Sequence, residues 1–536
     1  MTGKSFVKGA VVLSVAGILA KCLGALYRIP FARIGSDECI AIYGLVYPLY
    51  NLLLALSTAG IPLAISKLVA EYEEEGKSGI SMRILKVSLL LLSAVGAAVA
   101  VLIFVKADWL AANLLHEPKA AWSLRAIAPA MIFTCVQAVF RGYFQGLQQM
   151  VPTALSQITE QFMRVGVIFI ALFTLMPFGD EIMAAGASSG ASIGGMIALC
   201  VIFVIYLRYR KNNREKVICT DQNDDKTIAN KQLIGKVLAL AIPISIGSLV
   251  LPIMQTIDSV MVLPRLEAGG MSHLEAMTVY GYLSMCVLPI INLPFILTTA
   301  ISASLVPNIS EALAMGEKDQ VHHNFRNAMQ LAILIVLPAT VGLMTLARPI
   351  MDLLFAKPGA GVAMLWSAGI VLAVGLYQIS AATLQGMGKA MIPMYSLLLG
   401  ALIKVILTYS LTAVPSLGIR GAALGSVVGF AVAALNNIYQ ASRRIGWQWL
   451  SLKYHIIKPL ISVVAMAVVV LGCYHVCFGI LNSNGVATLL SIIVGGAAYF
   501  AVLLMIGGVS IEIIRKVPKL GNKLAGILLK LKLVRE

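Results

Sequence analysis

Phe144-Gln145-Gly146-Leu147-Gln148-Gln149-Met150-Val151-Pro152, running on to Arg164, is matched 240 residues later by Leu384-Gln385-Gly386-Met387-Gly388-Lys389-Ala390-Met391-Ile392-Pro393, running on to Lys404. In each copy an apolar helix ends in Gln-Gly and a few residues turn. A proline then opens the next apolar helix, where its missing N–H costs least. Each second helix carries one cation deep in an apolar run, Arg164 in the first copy and Lys404 in the second. A charge at the centre of a bilayer costs ~3 kcal/mol or more. Gln-Gly followed by Pro is by itself ordinary turn punctuation. The matching cations turn it into a duplicated membrane element.

The rest of the chain agrees with a membrane setting. It is 59% hydrophobic and only 12% charged, where a soluble domain carries about a quarter of its residues charged. Fourteen apolar runs, from 6–30 to 486–507, reach the roughly 20 residues a spanning helix needs. The first has Lys4 and Lys8 ahead of it and no small-residue cleavage pattern behind it, so it reads as a retained helix. With the N-terminus placed in the cytoplasm, the cytoplasmic segments hold 28 of the 41 Lys and Arg and the outer loops 7. The other six, Lys21, Arg28, Arg125, Arg141, Arg164 and Lys404, fall within the runs. That bias places both termini inside. The net charge of +17 is then a leaflet bias and calls for no nucleic acid. Eight cysteines are scattered. Cys473 and Cys477 share a helix face and read as small packing residues. No Cys/His cluster has metal-ligand spacing, so no metal or cofactor is expected.

The repeat extends beyond the hairpins. Helix 2 carries Tyr43-Gly44 and later Thr58-Ala59-Gly60-Ile61-Pro62; helix 8, expected at 277–305, carries Tyr280-Gly281 and Thr298-Thr299-Ala300. Helix 6 has Gly186 and Gly190 where helix 12 has Gly421 and Gly425, small residues that let helices approach closely in lipid. The expected organisation is an all-α membrane protein. An N-lobe of six helices spans 1–207 and a cytoplasmic linker 208–233. A C-lobe of six helices spans 234–454, an accessory helix pair 455–508 and a basic amphipathic tail 509–536. Six helices per copy put both copies in one orientation, related by a pseudo-two-fold axis along the membrane normal. The tail, with Arg515, Lys516, Lys519, Lys523, Lys530 and Lys532 among Ile and Leu, suits an in-plane helix on anionic inner-leaflet lipids; a solvated tail is the alternative.

Charges inside the runs are the candidate functional residues. Lys21 and Arg28 share one face of helix 1, with Arg33 at its outer end. Arg33 and Arg28 could snorkel to the interface. Lys21 lies midway and is expected to face an aqueous cavity. Lys67 ends helix 2 and Arg141 ends helix 4. Glu160 and Arg164 are spaced to pair on helix 5. Asp258 is an acid inside helix 7. Lys21, Arg28, Arg33, Lys67, Arg141 and Arg164 are the candidate substrate-binding cations; Asp258, Lys404 and Glu160 are candidates for coupling or charge pairing. No nucleophile–base set, Gly-rich phosphate loop or metal motif is present, so an enzyme is not expected. The excess of cations over acids suits an anionic substrate, and Arg and Lys are the usual partners of phosphate. A drug/cation antiporter would want more interior acids. A membrane glycosyltransferase would want acids on a large outer loop. A scaffold would not explain buried charge in both lobes.

The two-lobe duplication, the Gln-Gly…Pro hairpins, Ala70-Glu71-Tyr72 and Val306-Pro307-Asn308-Ile309-Ser310 resemble the multidrug/oligosaccharidyl-lipid/polysaccharide exporter superfamily. Arg28-Ile29-Pro30, Gly60-Ile61-Pro62, Ala64-Ile65-Ser66-Lys67 and Phe140-Arg141-Gly142-Tyr143-Phe144-Gln145-Gly146 are similar to its stage V sporulation protein B branch, a neighbour of the lipid II flippases. The resemblance implies a V-shaped pair of lobes and export of an undecaprenyl-linked precursor for peptidoglycan or spore cortex; a monomer is expected. Cell-wall synthesis enzymes are then candidate partners. It also implies two departures. Lipid II flippases carry an Arg-Asp pair in helix 1 and an Arg pair in mid-helix 2, where this chain has Tyr27-Arg28 and Asn51-Leu52-Leu53-Leu54. Some relatives hold a sodium ion between an acid on helix 7 and polar or acidic residues on helix 11. Asp258 fits the first, but helix 11 offers Lys404, whose ammonium is expected to stand in the ion's place.

Overall fold

The structure, a computed structural model, describes residues 3–58, 60–212, 229–449 and 451–508. The linker segment 213–228, the tail 509–536 and the side chain of Lys21 lie outside the described residues. The principal helices are α1 (Gly3–Leu26), α2 (Arg28–Ile34), α3 (Asp37–Thr58), α4 (Ile61–Glu74), α5 (Ser78–Val105), α6 (Ala120–Ile127), α7 (Ala130–Gly146), α8 (Met150–Leu175), α9 (Asp180–Asn212) and α10 (Asn230–Ala268). They continue as α11 (His273–Gly281), α12 (Phe295–Ala314), α13 (Lys318–Thr345), α14 (Ala347–Phe355), α15 (Ala360–Ser367), α16 (Gly369–Gly386), α17 (Met391–Thr412), α18 (Ile419–Ile445), α19 (Lys458–Leu481) and α20 (Asn484–Met505). Strands are absent among the described residues.

Among the described residues fifteen helices are long and apolar enough to cross a membrane, one more than the runs in the sequence. The difference arises where one span was expected at 277–305. His273–Asn292 and Phe295–Ala314 are separate. Leu293 and Pro294 lie between them, and the first contains a π-helical turn at Tyr282–Val287 and Pro289. Prolines lack the N–H that would continue the ladder. In the repeat counterpart the division falls elsewhere: α3 ends at Thr58 and α4 begins at Ile61, and the two count as one span, Asp37–Glu74.

The chain divides into two compact units, Met1–Met285 and Cys286–Glu536. These units and the sequence repeat are different divisions: α10 and α11 follow the linker yet pack on α3 in the first unit. The lobes 1–207 and 234–454 stay a proposal about duplicated halves.

Each unit uses the same internal contacts. In the first, Gly194 of α9 crosses α8 so closely that a Cβ would lie 2.8 Å from the Glu160 carbonyl and 3.3 Å from Arg164 Cβ. In the second, a Cβ on Gly429 of α18 would lie 2.7 Å from the Gly400 carbonyl and 3.0 Å from Lys404 Cβ. At the hairpins, Gly146 abuts Val69 and Ser66, and Gly386 abuts Ile309 and Val306. Inside the first unit, residues 240 apart touch: Ala41 packs on Gly281, and Gly44 on Ser284.

Candidate functional site

The polar centre of the first unit is built on α3, α7 and α8. Regular spacing puts its side chains on inward faces: Tyr43, Tyr47 and Tyr50 on α3, Gln137 and Arg141 on α7, and Ser156, Glu160 and Arg164 on α8. Glu160 and Arg164 are 8% and 4% exposed. One Glu160 oxygen accepts from Arg164 Nη2 at 2.9 Å and the other from Arg141 Nη2 at 2.9 Å. Arg141 Nη2 also donates to Gln137 Oε1 (2.6 Å) and Ser156 Oγ (2.8 Å). The Gln137 amide donates to the Gly195 carbonyl of α9. A single carboxylate therefore holds two guanidiniums from two helices, and the amide ties the set to a third.

The cluster reaches α2 through Tyr47. Its hydroxyl accepts from Arg164 Nη1 at 3.3 Å, and the Arg28 guanidinium lies over its ring, 5.2 Å from the centroid. Such stacking is favourable when water is excluded. Arg28 Nη1 donates to the Ser284 carbonyl at 3.3 Å. Tyr43 stacks on Tyr47 with centroids 5.7 Å apart and bonds the Tyr27 hydroxyl at 3.0 Å. The Nε atoms of Arg28 and Arg164 are buried with no hydrogen-bond partner among the described residues. Buried donors without partners are rare in native structures, and they leave this site with capacity for an acceptor. Arg28, Arg141 and Arg164 against Glu160 leave it net cationic.

The other candidates lie elsewhere. Arg33 on α2 and Lys67 on α4 are exposed. Asp258 is buried in α10 of the first unit, 7% exposed, and Lys404 in α17 of the second, 2% exposed. The cluster also contains residues that charge counting passed over: Tyr47, Gln137 and Ser156. Their signal was in the text as four-residue spacings, Tyr43–Tyr47, Gln137–Arg141 and Ser156–Glu160.

The family profile described as "Polysaccharide biosynthesis protein" matches residues 6–313, more than half of the chain. The chain belongs to the polysaccharide biosynthesis protein family. This family member also matches the profile described as "MatE" over residues 243–410. It is 31% identical over 527 residues to the "Uncharacterized membrane protein YabM" of Bacillus subtilis (strain 168), covering 97% of this chain and 96% of the relative. It is 27% identical to "Stage V sporulation protein B" of the same organism, covering 97% and 99%. To its "Lipid II flippase MurJ" it is 24% identical, covering 92% and 94%. In fold it is similar to a lipid II flippase MurJ in an inward closed conformation, with a TM-score of 0.65, 16% identity, and coverage of 92% and 98%. An inward-facing multidrug resistance MATE transporter of the MOP superfamily gives the same TM-score at 16% identity, covering 82% and 98%. This polysaccharide biosynthesis family protein is thus a multi-span membrane protein of the MOP superfamily.

Proposed function

We propose that this protein is an alternating-access exporter. It carries an anionic, undecaprenyl-linked cell-wall precursor of the lipid II kind from the inner to the outer leaflet of the plasma membrane. It acts as a monomer with both termini in the cytoplasm. The observation that carries the reading is the convergence of Arg28 and Arg164 on Tyr47 among membrane-spanning helices. Fixed guanidiniums in a low-dielectric setting are suited to phosphate oxygens. A lipid-linked anion can leave its tail in the bilayer while its headgroup enters such a site. Relatives named for lipid II flipping and for sporulation support a peptidoglycan or spore-cortex precursor over other cargo.

The experiment is the sidedness of the undecaprenyl-linked precursor in cells that depend on this protein, read by an enzyme confined to the outside. Depletion is expected to remove outer-leaflet precursor, and Arg28→Ala to mimic it. Unchanged outer-leaflet precursor would defeat the substrate assignment. A second reading, a cation-coupled multidrug antiporter, is favoured by the MatE match over 243–410 and by the buried Asp258. Inside accumulation of a cationic dye on depletion would support it. Accumulation of a different lipid-linked glycan would support another polysaccharide flippase.

A further inference from the structure

The segment between α18 and α19 carries a basic surface outside the Glu160 cluster. Residues 439–458 hold Arg443, Arg444, Lys453 and Lys458 and no acid. The segment joins two candidate spans, Ile419–Ile445 and Lys453–Leu481, so it lies at the edge of the apolar layer. Trp449 fastens it. This buried indole packs on Phe325 of α13 (4.8 Å between centroids) and on His455 (5.7 Å), and donates to Ser442 Oγ at 2.8 Å. Ser442 precedes Arg443, and His455 follows Lys453 and Tyr454. One rivet therefore holds both basic ends of the connector in place.

Two of the cations are held by neutral groups. Arg444 Nη1 donates to the Gln440 carbonyl at 2.6 Å and to its side-chain oxygen at 2.9 Å. Lys458 donates to the Gly507 carbonyl at 2.5 Å and lies over the Tyr454 ring, 4.2 Å from its centroid. Arg443 and Lys453 are exposed. Beside them Trp447 is 50% exposed and leans on Tyr439. Amphipathic rings of this kind settle at headgroup level.

We infer that this connector is a binding surface for anionic phospholipid headgroups, with Arg443, Arg444 and Lys453 facing the phosphates and Trp447 seated beside them. Clustered positive charge at an interface selects negative headgroups. The chain's own segment 509–536 is a poor occupant, since it carries seven Lys and Arg against two Glu. This inference does not depend on the transported substrate.

The test uses the full chain in bilayers of phosphatidylcholine containing either brominated phosphatidylglycerol or brominated phosphatidylcholine at equal fraction. Trp447 is one of five tryptophans, and its emission is the difference between wild type and Trp447→Phe. Brominated phosphatidylglycerol is expected to quench it several-fold more than brominated phosphatidylcholine. The ratio should fall to about one in R443Q/R444Q/K453Q and in wild type at high salt. The single variants R443Q and K453Q, at exposed positions, should each lower it if the triple variant fails to fold. Equal quenching by the two lipids in wild type means an interfacial tryptophan without headgroup choice and overturns the inference. So does selectivity that survives the substitutions, or no quenching by either lipid.

Discussion

Glu160 is the residue on which the first unit's polar centre turns. With both oxygens used by arginines, it holds two positive groups that would otherwise repel inside an apolar protein. Glu160→Gln leaves the buried Arg164 and the half-buried Arg141 sharing an amide. Breaking a buried ionic set in this way costs roughly 3–5 kcal/mol. Thermal unfolding of the detergent-purified protein should show a large loss, and E160Q/R141Q should recover part of it. A Glu160→Gln protein as stable as wild type would mean that the arginines are stabilised without the carboxylate. Asp258 and Lys404 make a parallel case, since each is buried. We propose that they pair during transport, the ammonium taking the place of a coupling sodium. Asp258→Ala and Lys404→Ala should each be defective, and the double variant should recover folding. If transport needs sodium and Lys404→Ala leaves that need unchanged, the pairing is wrong.

At the scale of elements, the α8/α9 crossing is set by glycine at one position and indifferent to it at another. Gly194 has backbone of α8 within 2.8 Å of where a Cβ would be, whereas Gly166 of α8 has nothing within 4 Å. Gly194→Ala must push the helices apart and is expected to cost about 1–3 kcal/mol. Gly166→Ala removes backbone freedom without a clash and should stabilise by up to about 1 kcal/mol. Chemical denaturation of both variants checks the pair, and equal effects would mean that the helices can slide. Helix identity here was legible from apolar length. The break at Leu293–Pro294 was not: hydropathy runs across it, and the interruption comes where Pro294 supplies no N–H to continue the ladder.

For the whole molecule, orientation is the property most open to direct test. The Lys and Arg bias places the 75–77 turn inside and the 269–274 turn outside. In a cysteine-free background, Glu75→Cys should react with an impermeant maleimide only after the membrane is opened, and Leu274→Cys in intact cells. Both positions are exposed, so silence from either would reflect sidedness rather than burial. The reverse pattern would invert the topology and turn the proposed exporter around.

Sequence alone determined that this is a duplicated, all-helical membrane protein, because hydrophobic length, Lys/Arg bias and repeat spacing are one-dimensional quantities. It also singled out charged residues for attention, since a charge in an apolar run stands out by its cost. Only the tertiary structure decided which of those charges share a site. Arg28, Arg141, Glu160 and Arg164 lie on three helices and meet through Tyr47, Gln137 and Ser156, while Arg33 and Lys67 lie on exposed faces. Spacing within a helix gives the direction of a side chain around its own axis. Which helices face one another is settled by the packing of glycine against backbone, as at Gly194 and Gly429, and that information is not contained in any single run of the chain.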